Sequence, residues 1–269
     1  MKELLKEDFS FAEGILQGYT ALVCGASKGI GKATAQMLSR AGAKVVLCAR
    51  SKDELEEVIS NLYGDGHTSL VMDLEEMDSI ENNIKKLISQ VGDIQILINN
   101  SGGPPGGPLI ENNISDFQGP FKRHLFASHM ITKLLIPGMK RSGMGRIINI
   151  ISTSVREPID NIGLSNTLRG AMGSWSKSLS RELDPCITIN NILPGFTDTD
   201  RLSSLSESIS KRTGKSVHSV REDWMNSVPI QRLINPLETA NAITWLSLPS
   251  SGAIRGISLA VDGGRMRSI

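Results

Sequence analysis

Short runs of apolar and β-branched residues recur along the chain, at Thr20–Cys24, Lys44–Ala49, Ser69–Met72, Ile94–Ile98, Arg146–Ile151 and Ile187–Leu193. Their nearly continuous apolar character predicts strands buried on both faces. Between them apolar residues fall three and four apart, as in Leu55, Val58, Ile59 and Leu62, or Ile80, Ile84, Leu87 and Ile88. That spacing predicts helices that each lay one stripe on a sheet. Strand and helix alternating in this way predict an α/β fold with a doubly wound parallel sheet, because parallel neighbours need long right-handed crossovers. Two stretches break the pattern: Ser101–Pro108 is dense in Gly and Pro, and Leu202–Ser219 is polar and rich in Ser. Both follow strand ends, where α/β proteins keep mobile binding loops. Residues 198–228 are therefore expected to form a substrate-loop region.

A chain of 269 residues suits one sizeable core. The pattern assigns residues 18–269 to that single domain and 1–17 to an N-terminal extension. With 39% apolar residues, 21% charged residues and a net charge of +1, the chain lacks the basic runs that coat nucleic acid. It has no apolar run of ~20 residues to span a membrane. Met1–Phe11 mixes Lys, Glu and Asp with apolar residues, unlike a signal peptide. Cys24, Cys48 and Cys186 are odd in number and lack the paired spacing of metal sites, so free thiols in a cytoplasmic protein are expected, with no metal.

Directly after the first strand stands Gly25-Ala26-Ser27-Lys28-Gly29-Ile30-Gly31, which opens a helical pattern through Ala33, Met37 and Leu38. Glycines permit a tight turn and close approach of backbone to a pyrophosphate, and the helix N-terminus faces the phosphate charge. A strand, this turn, a helix and a second strand make a dinucleotide-binding Rossmann unit. At the end of the second strand, where a carboxylate would take the ribose hydroxyls, the chain has Ala49-Arg50, and Lys28 adds a second cation. Two cations and no carboxylate at that position predict NADP(H) in preference to NAD(H), with NAD(H) as the weaker ligand. The alternative is a pair of solvated surface charges.

Further motifs follow in order: Asp73-Leu74, Asn99-Asn100-Ser101-Gly102, Gly145 to Ser152, Pro194-Gly195, and Val261-Asp262-Gly263-Gly264. From Gly18 to Gly264 the chain thereby resembles the short-chain dehydrogenase/reductase family. The resemblance implies cofactor contacts from Asp73 and Leu74, from Asn100, Ser101 and Gly102, and from Pro194 and Gly195. It also implies hydride-linked carbonyl or alcohol chemistry by a serine, a tyrosine and a lysine, assisted by an asparagine. Ser152 falls on the serine position. Ser165 stands where the tyrosine should be and Arg169 where the lysine should be, so the motif becomes Ser-x-x-x-Arg. His124, counted from Phe117, falls on the asparagine position. The chain resembles a subgroup that pairs Ser-x-x-x-Arg with a Gly-Gly-Pro-Pro loop, here Gly102 to Pro105.

A serine hydroxyl is a weaker acid than a phenol and sits on a shorter side chain, so Ser165 does not directly replace a tyrosine. Arg169 can hold the nicotinamide ribose, but its fixed charge makes it a poor proton relay. His124 titrates in the neutral range and is read either as a substitute acid or as a buried helix histidine. Gly119-Pro120 would disturb its helix and could carry it away from the site. His67, His129 and His218 have no motif around them. The expected function is an NADP(H)-dependent oxidoreductase acting on a small carbonyl or alcohol, with an atypical proton donor. The competing reading is a catalytically silent dinucleotide-binding protein, a redox sensor or a partner subunit in an oligomer. A homo-oligomer, dimer or tetramer, is expected through Met130, Ile131, Leu134 and Leu135 on one helix and Trp175, Leu179 and Leu183 on the next, with some of them lining the subunit's own core.

Overall fold

Seven strands, β1 (Thr20–Cys24), β2 (Lys44–Ala49), β3 (Thr68–Val71), β4 (Ile96–Asn99), β5 (Gly145–Ile150), β6 (Ile187–Pro194) and β7 (Ser258–Val261), form one sheet in the computed structural model, which describes residues 11–268. Their order is β3-β2-β1-β4-β5-β6-β7, and every pairing is parallel. The helices are α1 (Gly29–Arg40), α2 (Lys52–Ile59), α3 (Met77–Val91), α4 (Ile114–Phe121), α5 (Ala127–Arg141), α6 (Gly163–Glu182), α7 (Asp200–Thr213), α8 (Val217–Asn226) and α9 (Pro236–Ser247).

Because successive side chains on a strand point to opposite faces, β1 feeds two cores. Ala21 and Val23 join Leu38 of α1 and Ile243 and Leu246 of α9 on one face. Leu22 and Cys24 join Ile80 and Ile84 of α3 and Ile131 and Leu135 of α5 on the other. The fold is a single-domain Rossmann-type sheet covered on both faces. β7 carries no strand signal in the sequence pattern, since its four residues are only half-buried and follow no apolar run. The chain runs from β1 outward to β3 and returns to β4 on the other side of β1. That reversal opens a crevice at the C-terminal strand ends, where such folds bind ligands.

A buried polar ladder crosses the sheet near those ends. Asn99 Nδ2 donates to Asn149 Oδ1 at 2.8 Å, Asn149 Nδ2 to Asn191 Oδ1 at 2.9 Å, and Asn191 Nδ2 to Ser258 Oγ at 3.1 Å. The four residues are register partners on adjacent parallel strands, so each amide finds its neighbour without leaving the ladder. Burial of so many amides is tolerable only because they satisfy one another.

One feature differs from the sequence expectation, and two others follow it. The Ser-rich stretch is mainly helical: Thr199 caps α7 by accepting from Leu202 N–H, Gly214 ends it at φ +74°, and Ser216 caps α8. Serines that read as loop residues serve as caps, or return their hydroxyl to the helix, as Ser206 does to Ser203 O at 2.6 Å. Second, Pro120 lies inside α4, and the helix passes through a wider π turn at Lys122–Phe126 before α5 begins. As expected of some of the oligomer candidates, Ile131 and Leu135 lie in the chain's own core, and Met130, Leu134, Trp175, Leu179 and Leu183 are half-buried against it.

Within the first seventeen residues, Leu16 is fully buried against the core, while residues 1–10 lie outside the described part of the chain. The reading of Met1–Phe11 as no signal peptide therefore falls, except for Phe11, outside the described residues. No helix among the described residues is long and apolar enough to cross a membrane, and no cluster of three or more His, Cys, Asp or Glu among them is arranged to hold a metal.

Candidate active site

The C-terminal strand ends open into a cavity of about 1010 Å³. The glycine turn forms one wall. Gly25 and Gly29 take φ of +59° and +55°, in the left-handed region that favours glycine. A Cβ on Gly31 would stand 2.0 Å from Gly25 O, and one on Gly25 would stand 2.7 Å from Asn100 Nδ2. Asn100 Nδ2 donates to Gly25 O at 3.2 Å, fastening the turn to the end of β4. No side chain caps α1, and its first turn has no acidic residue. The leading N–H groups and the positive end of the helix dipole are thus arranged for an anion. A dinucleotide pyrophosphate fits this cradle. Gly25, Ser27, Lys28, Gly29 and Ile30 line the cavity, whereas Gly31 packs beneath the turn.

At the far end, beyond β2 and β3, the cavity is lined by Arg50, Asp73 and Leu74. Asp73 Oδ1 accepts from Glu75 N–H at 2.9 Å, which sets the turn after β3. The sequence left this end free of a competing carboxylate, and here the structure corrects it. Glu54 on α2 also lines the cavity and pairs with Lys28 at 2.6 Å, while Arg50 stands 3.9 Å from Asp73. Each group of the Lys28–Glu54 pair holds the other in its charged form, raising the lysine pKa and lowering that of the glutamate. Both pairs are solvent-exposed, so they are weak and exchangeable.

The other end gathers Ser152, Ser165 and Arg169 with Ser101, Gly102, Pro194 and Gly195. Ser152 follows β5 and its Oγ accepts from Ser154 N–H at 3.1 Å. Ser165 and Arg169, four apart on α6, share a helix face. Arg169 is buried, with Nη1 donating to Ile150 O at 2.9 Å and with Nε buried and unpartnered. Burial and the nearby Arg201 and Arg123 push its pKa down to about 10, so at neutral pH it remains a cation. The Gly/Pro loop is stitched to the segment before α6: Gly107 N–H donates to Asn161 O at 2.7 Å, and Gly163 N–H to Gly107 O. The chain's two tyrosines lie elsewhere: Tyr19 precedes β1 at the opposite end of the sheet, and Tyr63 is exposed beneath Arg40.

His124 does not line the cavity. It is buried under the loop after β4, where Nε2 donates to Gly102 O at 3.0 Å and Nδ1 accepts from Ser101 Oγ at 2.8 Å. A carbonyl only accepts, so the Nε2–H tautomer satisfies both contacts and the ring is neutral. Burial, then the positive charge of Arg169, holds its pKa well below the ordinary 6.5. Of the two readings of His124, the buried helix histidine fits and the substitute acid does not. The sign of its effect on stability follows. In the unfolded chain this imidazole takes a proton near pH ~6.5, which the folded protein resists, so its contribution is complete above that pH and is lost on acidification. Melting temperature measured from about pH 7.5 to about 5.5 should fall less steeply in His124→Asn than in the parent. Parallel slopes would contradict this assignment.

Several lining residues were not singled out from sequence. Thr199 abuts the glycine turn, 3.1 Å from the place of a Gly29 Cβ. Arg123 donates from Nε to Gly102 O at 3.0 Å and pairs with Glu75. Arg201 donates from Nη2 to Pro104 O at 2.5 Å. Thr199 and Arg201 have only the signal of a position just beyond a strand end, and Arg123, in the π turn after α4, has none.

A parallel sheet with this switch point, glycine turn and anion-ready helix defines a dinucleotide-binding α/β protein. The family model described as short chain dehydrogenase matches residues 19–210. The chain belongs to this family and is an oxidoreductase of its type. It is similar to 3-oxoacyl-(acyl-carrier-protein) reductase FabG of Vibrio cholerae serotype O1, at 32% identity over 252 residues, covering 93% of this chain and 98% of that protein. It is similar as well to the NADPH-dependent reductase BacG of Bacillus subtilis, at 31% identity over 255 residues, covering 93% and 98%. Among solved structures it resembles YwfH, described as an NADPH dependent reductase involved in bacilysin biosynthesis, with a TM-score of 0.88, 30% identity, and coverage of 93% of this chain and 99% of that one.

Proposed function

We propose that the chain is an NADP(H)-dependent reductase or dehydrogenase for a carbonyl/alcohol pair, of an atypical kind in which Ser165 and Arg169 replace the tyrosine and lysine of the family. The observation that carries this reading is Arg169, a buried cation in the same cavity as the glycine turn and Ser152. Gly25 to Gly31, Asn100 and the N-terminus of α1 would hold the dinucleotide, with Lys28 and Arg50 toward a 2′-phosphate. When bound, NADPH supplies a hydride. Ser152 and Arg169 direct an O–H and N–H donors at the substrate oxygen and stabilise the charge that develops there. Arg169 keeps its proton at neutral pH, so the proton reaches the alkoxide from water in the open cavity rather than from a phenol. NADPH dependence in BacG and YwfH supports the cofactor preference.

The silent-binder reading is favoured by one observation, the lack of a tyrosine lining the cavity. The half-buried faces of α5 and α6 support a homo-oligomer. Absence of a long apolar helix among the described residues is compatible with a cytoplasmic setting.

Isothermal titration tests the cofactor assignment. NADPH should bind at least about tenfold more tightly than NADH, since only the 2′-phosphate gains charge-assisted contacts. Glu54→Gln should widen that ratio by releasing Lys28. Equal affinities for the two cofactors in the parent chain would reject the assignment.

A further inference from the structure

Arg169 and Arg201 converge on one point beside the Gly/Pro loop. A Cβ placed on Gly103 would lie 3.6 Å from Arg169 Nη2 and 3.5 Å from Arg201 Nη2. The two guanidinium groups approach from different elements, one from α6 and one from the first turn of α7. Each is fixed by a single backbone carbonyl, Ile150 O for Arg169 and Pro104 O for Arg201. Those carbonyls orient the groups without neutralising them. Among the described residues neither arginine has an ion pair. Of the cavity carboxylates, Glu54, Asp73 and Glu75 are engaged with Lys28, Arg50 and Arg123, while Asp160 and Asp200 also line the cavity and pair with neither arginine.

Arg169 makes the arrangement informative. It is 8% exposed, and its Nε has no hydrogen-bond partner despite burial. Leaving a charged donor buried and unmet is costly, and proteins keep such groups where a ligand completes them. Three cations stand close together here: Arg123, Arg169 and Arg201 all depress the titration of His124, and Arg201 and Arg123 lower that of Arg169. The nicotinamide ribose and a ketone oxygen, the partners given to Arg169 above, are uncharged and leave the paired charge of Arg169 and Arg201 unanswered. A carboxylate presents two oxygens in a plane that matches a guanidinium fork.

Resting on the oxidoreductase reading above, we propose that the substrate is an oxo acid or hydroxy acid whose carboxylate is held by Arg201 together with Arg169, with its carbonyl or carbinol carbon beside Ser152. Arg201 is then the residue that sets preference for charged over neutral substrates. It lies in the first turn of α7, is exposed at the cavity, and can be replaced without disturbing the core.

Two readouts test this. In the first, malonate is titrated into NADPH-loaded protein and followed by the fluorescence of the bound cofactor, which requires no turnover. Saturable binding is expected, and it should weaken about 10–100-fold in Arg201→Met, the range for a charge-assisted hydrogen-bonded contact. In the second, kcat/KM for 2-oxobutanoate, 3-oxobutanoate and 4-oxopentanoate is compared with that for their methyl esters. At least one acid should exceed its ester about tenfold or more, and Arg201→Met should bring the ratio near one while leaving the NADPH Kd unchanged.

No malonate binding to the loaded parent protein, or esters used as well as all three acids, would overturn the proposal. So would an Arg201→Met variant that loses NADPH affinity while keeping its acid preference, since Arg201 would then serve the cofactor. Failure of every oxo compound to turn over would count against the oxidoreductase reading instead, and malonate binding alone would still decide this one.

Discussion

Gly31→Ala is expected to raise the NADPH Kd by at least about 100-fold, the scale on which an ångström-sized misplacement acts. The added methyl carbon would stand 2.0 Å from Gly25 O, 2.8 Å from Gly25 C and 2.9 Å from Asn100 Nδ2. Two of those atoms are backbone of the very turn that cradles the pyrophosphate, so the clash cannot be relieved by a side-chain rotation. The turn must open, and its break from Asn100 would unfasten it from β4. Since Gly31 does not itself line the cavity, the loss would come through displacement of Gly25 to Gly29. Titration calorimetry gives the Kd, and thermal melting of the variant without cofactor shows whether the chain still folds. A folded Gly31→Ala variant that binds NADPH within about threefold of the parent would overturn this account of the turn.

The second large effect is a gain. Ser165→Tyr combined with Arg169→Lys is expected to create or raise reduction of generic neutral aldehydes and ketones by about 100-fold, the lower range for a positioned general acid. Both positions line the cavity with Ser152, and both lie on one face of α6. A phenol from position 165 would provide the proton donor that neither Tyr19 nor Tyr63 supplies. A lysine at 169 would lower its pKa through a neighbouring positive charge. Neither substitution alone supplies both parts, so each single variant should remain near the parent rate on these carbonyls. A double variant that binds NADPH as tightly as the parent yet reduces no member of a broad panel would favour the silent-binder reading.

The glycine turn was legible because its constraint is written residue by residue. Positive φ at Gly25 and Gly29, and the contact beneath Gly31, each select glycine locally. Five strands were legible because burial on both faces forces a continuous apolar run, and the half-buried edge strand β3 was read from the short Ser69–Met72 run. β7 was not, since its half-buried Ser258–Val261 carries no such run. The serines of 202–219 misled because hydroxyls that favour loops also cap helices, as Ser216 does, or bond back into them, as Ser206 does. Glu54 escaped notice because its approach to Lys28 depends on how α2 packs beside the glycine turn. The arginine cluster was least legible. Arg201 meets Pro104 O across 97 positions, and Arg123 meets Gly102 O across 21. Local pattern carries no trace of such contacts, since they arise only when several strand ends are brought to the same crevice.

The central claim is that this cavity passes a hydride between NADPH and a carbonyl carbon without a phenol. The most direct measurement incubates the protein with NADPH stereospecifically deuterated at C4 and an array of oxo acids, ketones and aldehydes, then locates the label by mass spectrometry. Separate incubations with each C4 epimer allow for either face of transfer. The account predicts one epimer delivering deuterium to the carbinol carbon of at least one product, at a rate far above that of protein-free controls. Tight binding of both NADPH epimers, with no deuterium in any product, would contradict it.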